Sequence, residues 1–255
     1  MAGGFDYGQI EQLTNQEIRN VYSGLTAGER FPVGTLGTTQ DGRWYRFARA
    51  GAATLVPGNV VVGPVPVTNN VNNTAAATAA GATSTTFSIG ATAITQNQYK
   101  DGYLSVSVAP GAGYLYGLRE HAAVASSGSN TWVFSPGESV QVAFTTSTRL
   151  DLIANPFRGV IQAPATTIGS NPIGVAVSAP TAGQYCWIQV EGAANVLTEG
   201  TLIVGQRAVA PTGTAGACGP ETATAATSKT ESTIGQVLRV AATTAFSTID
   251  LHLLS

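Results

Sequence analysis

Between residues 102 and 161 the chain repeats one pattern, a short run of alternating side chains followed by a break at proline or glycine. Tyr103-Leu104-Ser105-Val106-Ser107-Val108 alternates until Pro110-Gly111 stops it. Runs at Tyr114 to Leu118, Thr131 to Phe134, Val140 to Phe144 and Leu150 to Ile153 follow, with breaks at Ser127 to Asn130, Ser135-Pro136-Gly137 and Asn155-Pro156. A strand places successive side chains on opposite faces, so a period of two is the signature of a half-buried strand. Proline and glycine supply the dihedrals that the intervening turns need. The stretch predicts an antiparallel meander and an all-β chain built as an antiparallel β-sandwich or barrel.

The rest of the chain is read against that meander. Ile10, Leu13, Ile18 and Val21 make a short apolar stripe, and Thr14 with Glu17 has the form of a capping box. The pattern predicts a short N-terminal helical arm over 15–22, ended by Gly24. A helix that short is marginal in water, so the arm is expected to need a surface to lie against. Asp41-Gly42 is a hairpin signal, and the strand after it sets Arg43, Tyr45, Phe47 and Arg49 on one face and Trp44, Arg46, Ala48 and Ala50 on the other. Val60-Val61-Val62, followed by Pro64 and Pro66, reads as an edge strand or an extended connection, because proline cannot donate to a central ladder. Thr85 to Ile89 reads as a strand, and 162–174 as a Pro/Gly-rich loop or linker. Strands are expected at 174–177, 185–190, 200–205, 234–240 and 247–253, with a mobile loop at 211–233. The organisation predicted is an arm at 1–30, an antiparallel β-domain at 31–167 and a second small β-barrel or sandwich at 168–255.

Charge is scarce. Charged residues make up 10% of the chain, against about 25% in an ordinary soluble domain. The net charge is −2 and 44% of residues are hydrophobic, so the chain is expected to fold rather than stay disordered. Little charge is left to repel other copies, which favours association. The same balance argues against nucleic-acid binding, where Lys and Arg must neutralise phosphates. No run of 18 apolar residues occurs, so no membrane span is expected, and the N-terminus lacks the basic and apolar regions of a secretory signal. Cys186 and Cys218 are expected to be unpaired thiols.

No catalytic constellation stands out. His121 follows Arg119-Glu120 in a turn region, and His252 lies between Leu251 and Leu253; neither sits in a nucleophile elbow or at metal-ligand spacing. The glycine loops at 111–113 and 213–216 lack the following helix and lysine of a phosphate loop. Asp41, Asp101, Glu138 and Asp151 are dispersed. No metal, no cofactor and no enzymatic activity are expected.

Phe31 to Gly51 resembles head proteins of tailed bacteriophages, and the likeness continues through Gln98 to Leu104, Asn155 to Val160 and Tyr185 to Gln189. Gly200-Thr201-Leu202 and Ile234 to Leu238 resemble the small barrels of phage decoration proteins. The resemblance implies a capsid cement (decoration) protein, bound outside a shell of major capsid protein and stabilising it. It also implies self-association, with a trimer favoured, and a location at the virion surface after synthesis in the host cytoplasm. On that reading the arm and hairpin supply the shell contact, through Ile10, Leu13, Ile18, Phe31, Arg43, Trp44, Arg46 and Arg49. Two other readings share the composition. One is a tail-tube or fibre component; the other is a carbohydrate-binding β-module, which would want Trp44, Trp132 and Trp187 on one exposed platform rather than in separate strand runs.

Overall fold

A computed structural model of the chain describes residues 10–23, 30–166, 169–210, 213–221 and 232–254. It is nearly all β, with 43% strand and 3% helix. Among the described residues no helix is long and apolar enough to cross a membrane. The chain forms two compact units, one made of Met1–Pro64 with Pro156–Ser255 and the other of Val65–Asn155.

In the first unit five strands close into a barrel. In order around the ring they are Trp44–Ala50, Arg158–Gln162, Val60–Val62, Pro172–Ala176 and the first half of Tyr185–Leu197, which pairs back onto Trp44–Ala50. The contact of Arg158–Gln162 with Trp44–Ala50 is parallel, and the other four are antiparallel. A barrel this narrow is filled by its own side chains. Ala48, Ala50, Val61, Val160, Ala176, Cys186 and Ile188 form that filling, and three alanines among them suit a tight bore. The alternation read from the sequence holds, since Tyr45 and Phe47 point to the opposite face and pack with Tyr185 and Trp187.

The second half of Tyr185–Leu197 leaves the barrel and pairs with Phe246–His252. Ser232–Arg239, Arg207–Ala210 and Gly219–Pro220 extend the sheet from there. Val196, Ile234, Val237, Ile249 and Leu251 cluster with Val60 and Val62, the residues that flank Val61 and so face away from the bore.

The predicted helix over 15–22 is replaced by sheet pairing. Glu11–Gln12 runs parallel to Leu36–Thr38, Glu17–Arg19 makes a single 3-10 turn, and Val21–Tyr22 pairs antiparallel to Tyr185 and Cys186. The capping box does form: Thr14 donates its amide and hydroxyl to Glu17, and the Glu17 amide donates to the Thr14 hydroxyl. It closes one turn and no more. A free helix of this length gains little, whereas the sheet supplies backbone partners and lets Leu13 and Ile18 join Tyr45, Phe47 and Trp187. Gly37 permits that approach, because a Cβ there would collide with Leu13 and press on Trp187.

The observed division replaces boundaries at 30/31 and 167/168, which would cut the arm and the C-terminal strands away from the barrel they complete. The C-terminal region is therefore not a second separate barrel. Val60–Val62 is not an edge but is paired on both sides, with Pro64 lying beyond its end. Pro172–Ala176 begins inside the predicted linker. Residues 200–205 form a turn rather than a strand, held by the Gly205 amide on the Val237 carbonyl. Of the predicted loop at 211–233, Gly219–Pro220 and Ser232–Thr233 are in strands, while 211–212 and 222–231 lie outside the described residues, as do residues 1–9 and Gly24.

The second unit is an insertion. The chain leaves the first unit after Pro64 and returns at Pro156, and a Cβ at Gly63 would lie 3.1 Å from the Pro156 carbonyl. Asn73–Thr74, Arg149–Ile153, Tyr103–Val108 and Leu115–Gly117 form a four-stranded sheet, and Ser129–Val133 pairs with Ser84–Ser88. Val140 to Phe144, read as a strand, instead makes isolated bonds to 78–82. The shared core is aromatic, with Trp132 stacked on Phe87 at 5.1 Å and Phe134 on Tyr116 at 4.9 Å.

Truncating Leu13 to Ala should lower unfolding free energy by about 2–5 kcal/mol, because the side chain is buried between the arm and Trp187. Denaturant unfolding of L13A within a few tenths of wild type would show that the arm is not part of the core. Cys186 and Cys218 are free, buried in separate clusters, and burial pushes each thiol up to about 12. Iodoacetamide at neutral pH should therefore label neither cysteine in the native chain and both in denaturant, as read by intact mass.

Candidate functional site

The candidate contact residues divide by what already holds them. Leu13 and Ile18 are buried, and Phe31 is half-buried with its ring 5.4 Å from both Phe47 and Trp187. Trp44 packs on the barrel filling. Arg46 donates to the Gly34 carbonyl at 2.8 Å and lies over Phe157, and burial lowers its pKa. Arg49 donates to the Gly183 carbonyl at 3.3 Å and lies over Tyr185. These side chains are engaged within their own unit. Ile10 is left outside, 50% exposed.

Arg43 is held from two sides. Its Nε donates to Asp41 Oδ2 at 2.8 Å and its Nη2 to Asn15 Oδ1 at 3.0 Å, with the guanidinium 5.9 Å from the centre of the Tyr45 ring. Asp41 also accepts from the Thr39 hydroxyl at 2.5 Å, and that bond, ahead of Arg43, holds its carboxyl below the ordinary value. The hairpin thus presents a fixed cation.

That cation lines a groove of about 450 Å³ in the first unit. The groove lies where Tyr185–Leu197 changes partners, pairing with Pro172–Ala176 through Gln189 and with Phe246–His252 from Glu191 onward. The change needs an irregularity. The pairing with Trp44–Ala50 shifts register between Gln189 and Glu191, and Gly192 takes φ +81°, a conformation most side chains resist. Gln189, only 2% exposed, donates its Nε2 to the carbonyls of Glu191, Gly192 and Ala193 at 3.2, 3.2 and 3.0 Å. Arg19, Asn195, Pro57 and Phe246 complete the walls. Gly58, at φ +83°, lets the Phe246 ring lie against the backbone, where a Cβ would collide with it.

Sequence reading brought Ile18 and Arg43 forward but not Arg19, Gln189 or Asn195. The one available signal was Gly192, which lies just past the strand expected at 185–190.

The histidines have structural partners. His121 is buried; its Nε2 accepts from the Tyr99 amide at 2.9 Å and its Nδ1 faces the Ala122 carbonyl at 2.8 Å, which fixes the Nδ1–H tautomer. His252 stands between Glu191 and Asp250 at 3.5 and 3.6 Å on the sheet surface. Among the described residues no group of three or more His, Cys, Asp or Glu is arranged to hold a metal ion. Comparison with protein-family models, with curated proteins and with solved structures finds no match to this chain.

The depressed carboxyl of Asp41 gives a pH signature. Its contribution to the hairpin is complete above the ordinary aspartate pKa of about 4 and is lost as pH falls through its lower folded value. The melting-temperature gap between wild type and Asp41→Asn should be present at neutral pH and shrink in acid. A gap that is constant with pH would contradict the assignment.

Proposed function

We propose that the chain is a structural virion protein that binds the outside of a phage capsid and stabilises its coat-protein shell, with the inserted unit built as a small antiparallel sandwich. The reading is supported most by exposed apolar side chains on the outer face of the four-stranded sheet in that unit, a face that also carries Asp151 and Arg149. Tyr103 pairs with Ile153, and Leu115 lies opposite Ser105 on the same outer face. These three apolar side chains are 41, 44 and 54% exposed. Gly117 and Ser105 sit among them, with Asp151 opposite Ser105 and bonded to the Asn72 amide at 2.6 Å, so the apolar side chains stand beside one carboxylate that already has a partner. Exposed apolar side chains grouped within a polar rim mark interaction sites in soluble proteins. With charged residues at 10% of the chain, little repulsion opposes contact with a shell or with another copy.

On this proposal the partners are the major capsid protein and further copies of the chain, as a trimer. The arm is integral to its own barrel, so the shell contact proposed for the inserted unit is the Tyr103–Leu115–Ile153 face, and in the first unit Ile10 is the exposed candidate while Arg43 is half-buried. Repetition over a lattice lets individually weak contacts hold together.

Imaging of particles purified from the chain's source, labelled with an antibody to the chain, should show label over the outer surface of heads. Label confined to tails, or absent from particles, would overturn the proposal. Sedimentation should give an oligomer that Tyr103→Glu dissociates; a concentration-independent monomer would remove self-association from it.

A further inference from the structure

We infer that the groove at the fork of strand Tyr185–Leu197 is a binding site for an extended acidic peptide segment of a partner protein. The inference stands on the groove alone and does not depend on the virion reading.

The charge of the groove comes first. Arg43 keeps its guanidinium a quarter exposed while Asp41 and Asn15 hold it in place. Arg19 is exposed at the end of the 3-10 turn; its amide donates to the Gln16 carbonyl at 3.1 Å, and its guanidinium makes no hydrogen bond or ion pair to a described residue. Both arginines line the same groove, and both act electrostatically on the buried Tyr45 hydroxyl, so their charges converge from two elements. Asp41, itself committed to Arg43 and Thr39, offsets them in part, and Asp250, on the strand face that carries Phe246 and Thr248, stands with Glu191 beside His252. A planar guanidinium matches a carboxylate with parallel N–H donors.

The amides come second. Three carbonyls around Gln189 Nε2 fix the side-chain amide, leaving Oε1 as an acceptor with no donor among the described residues. Asn195 Oδ1 accepts from the Thr248 hydroxyl at 3.1 Å, which leaves its Nδ2 as a donor with no acceptor among the described residues. One fixed acceptor on Gln189 and one donor on exposed Asn195 match the N–H and C=O of a peptide unit. Gln189 is nine-tenths buried and more, so its orientation is paid for by the fold and not by the ligand.

The apolar wall comes third. Phe246, 41% exposed, and Pro57 offer a surface for a neighbouring aliphatic side chain. A volume of about 450 Å³ lies within the usual range for ligand sites, roughly 300–1,000 Å³. Nucleic acid fits poorly, since binding a phosphate backbone needs many cations and the chain carries a net −2.

The test is fluorescence anisotropy of the full chain with a fluorescein-labelled peptide of alternating Glu and Val. A Gln/Val peptide serves as the uncharged control and a hyaluronate oligosaccharide as competitor. Saturable binding is expected for the Glu/Val peptide, weakening with added salt and lost on the control. Arg19→Glu, on an exposed turn, should weaken it by about tenfold or more with the melting temperature unchanged. Asn195→Asp keeps the acceptor for Thr248 while removing the donor, and should weaken it as well. The inference is overturned by equal binding of the Gln/Val peptide, by wild-type affinity in both variants, by preferential binding of the oligosaccharide, or by no binding of the Glu/Val peptide.

Discussion

Strand Tyr185–Leu197 has to satisfy two sets of partners, and the first unit depends on how it does so. Its first half closes the barrel against Trp44–Ala50, and its second half carries Phe246–His252 and every strand beyond. A strand that changes partners ends one ladder where the next begins, and the crossing has to be held in place. The Gln189 amide clamps it: the two N–H groups of Nε2 are shared among the carbonyls of Glu191, Gly192 and Ala193, just past the crossing. Gly192 supplies the dihedral that re-aims the strand. The groove is the space this fork leaves open, so the candidate site and the closure of the barrel have one physical origin.

The N-terminal arm follows from the same strand. Trp187 and Tyr185 face away from the bore with Tyr45 and Phe47, forming an aromatic surface that the barrel cannot cover by itself. Leu13, Ile18 and Tyr22 cover it from the arm, and Phe31 meets Phe47 edge-on. The three arginines of the hairpin strand, Arg43, Arg46 and Arg49, lie over Tyr45, Phe157 and Tyr185, so their stems and planar heads shield aromatic surface while their N–H groups find carbonyl or carboxylate partners. Arg43 alone among them also opens onto the groove.

The strands were legible where a polar or small residue alternates with a large one. Trp44–Ala50, Tyr103–Val108, Arg149–Ile153 and Phe246–His252 show that period, and each is a strand within a residue or two of the reading. Period says nothing about partners, however. Val60–Val62 looks like an edge because prolines follow it, yet it sits inside the barrel. The capping box at Thr14 and Glu17 is a true local signal that closes one turn, and the competing sheet contacts are distant in sequence. Pro64 and Asn155-Pro156 mark local breaks, but a break does not say which segments pack together, so the inserted unit, which is defined by contacts, was not visible. The groove was hidden for the same reason, since Arg19, Arg43, Gln189 and Asn195 meet only after the strand forks.

Segment-resolved hydrogen–deuterium exchange tests most directly whether this one strand organises the unit. Amides of Trp187 to Val190 and of Ile249 to Leu251 should be the slowest in the chain. The Leu13 amide, bonded to the Thr38 carbonyl at 2.8 Å, should share their protection rather than that of a terminus. Exchange of Leu13 at the rate of the 200–205 turn, or of Trp187 to Val190 ahead of the outer strands, would contradict the account.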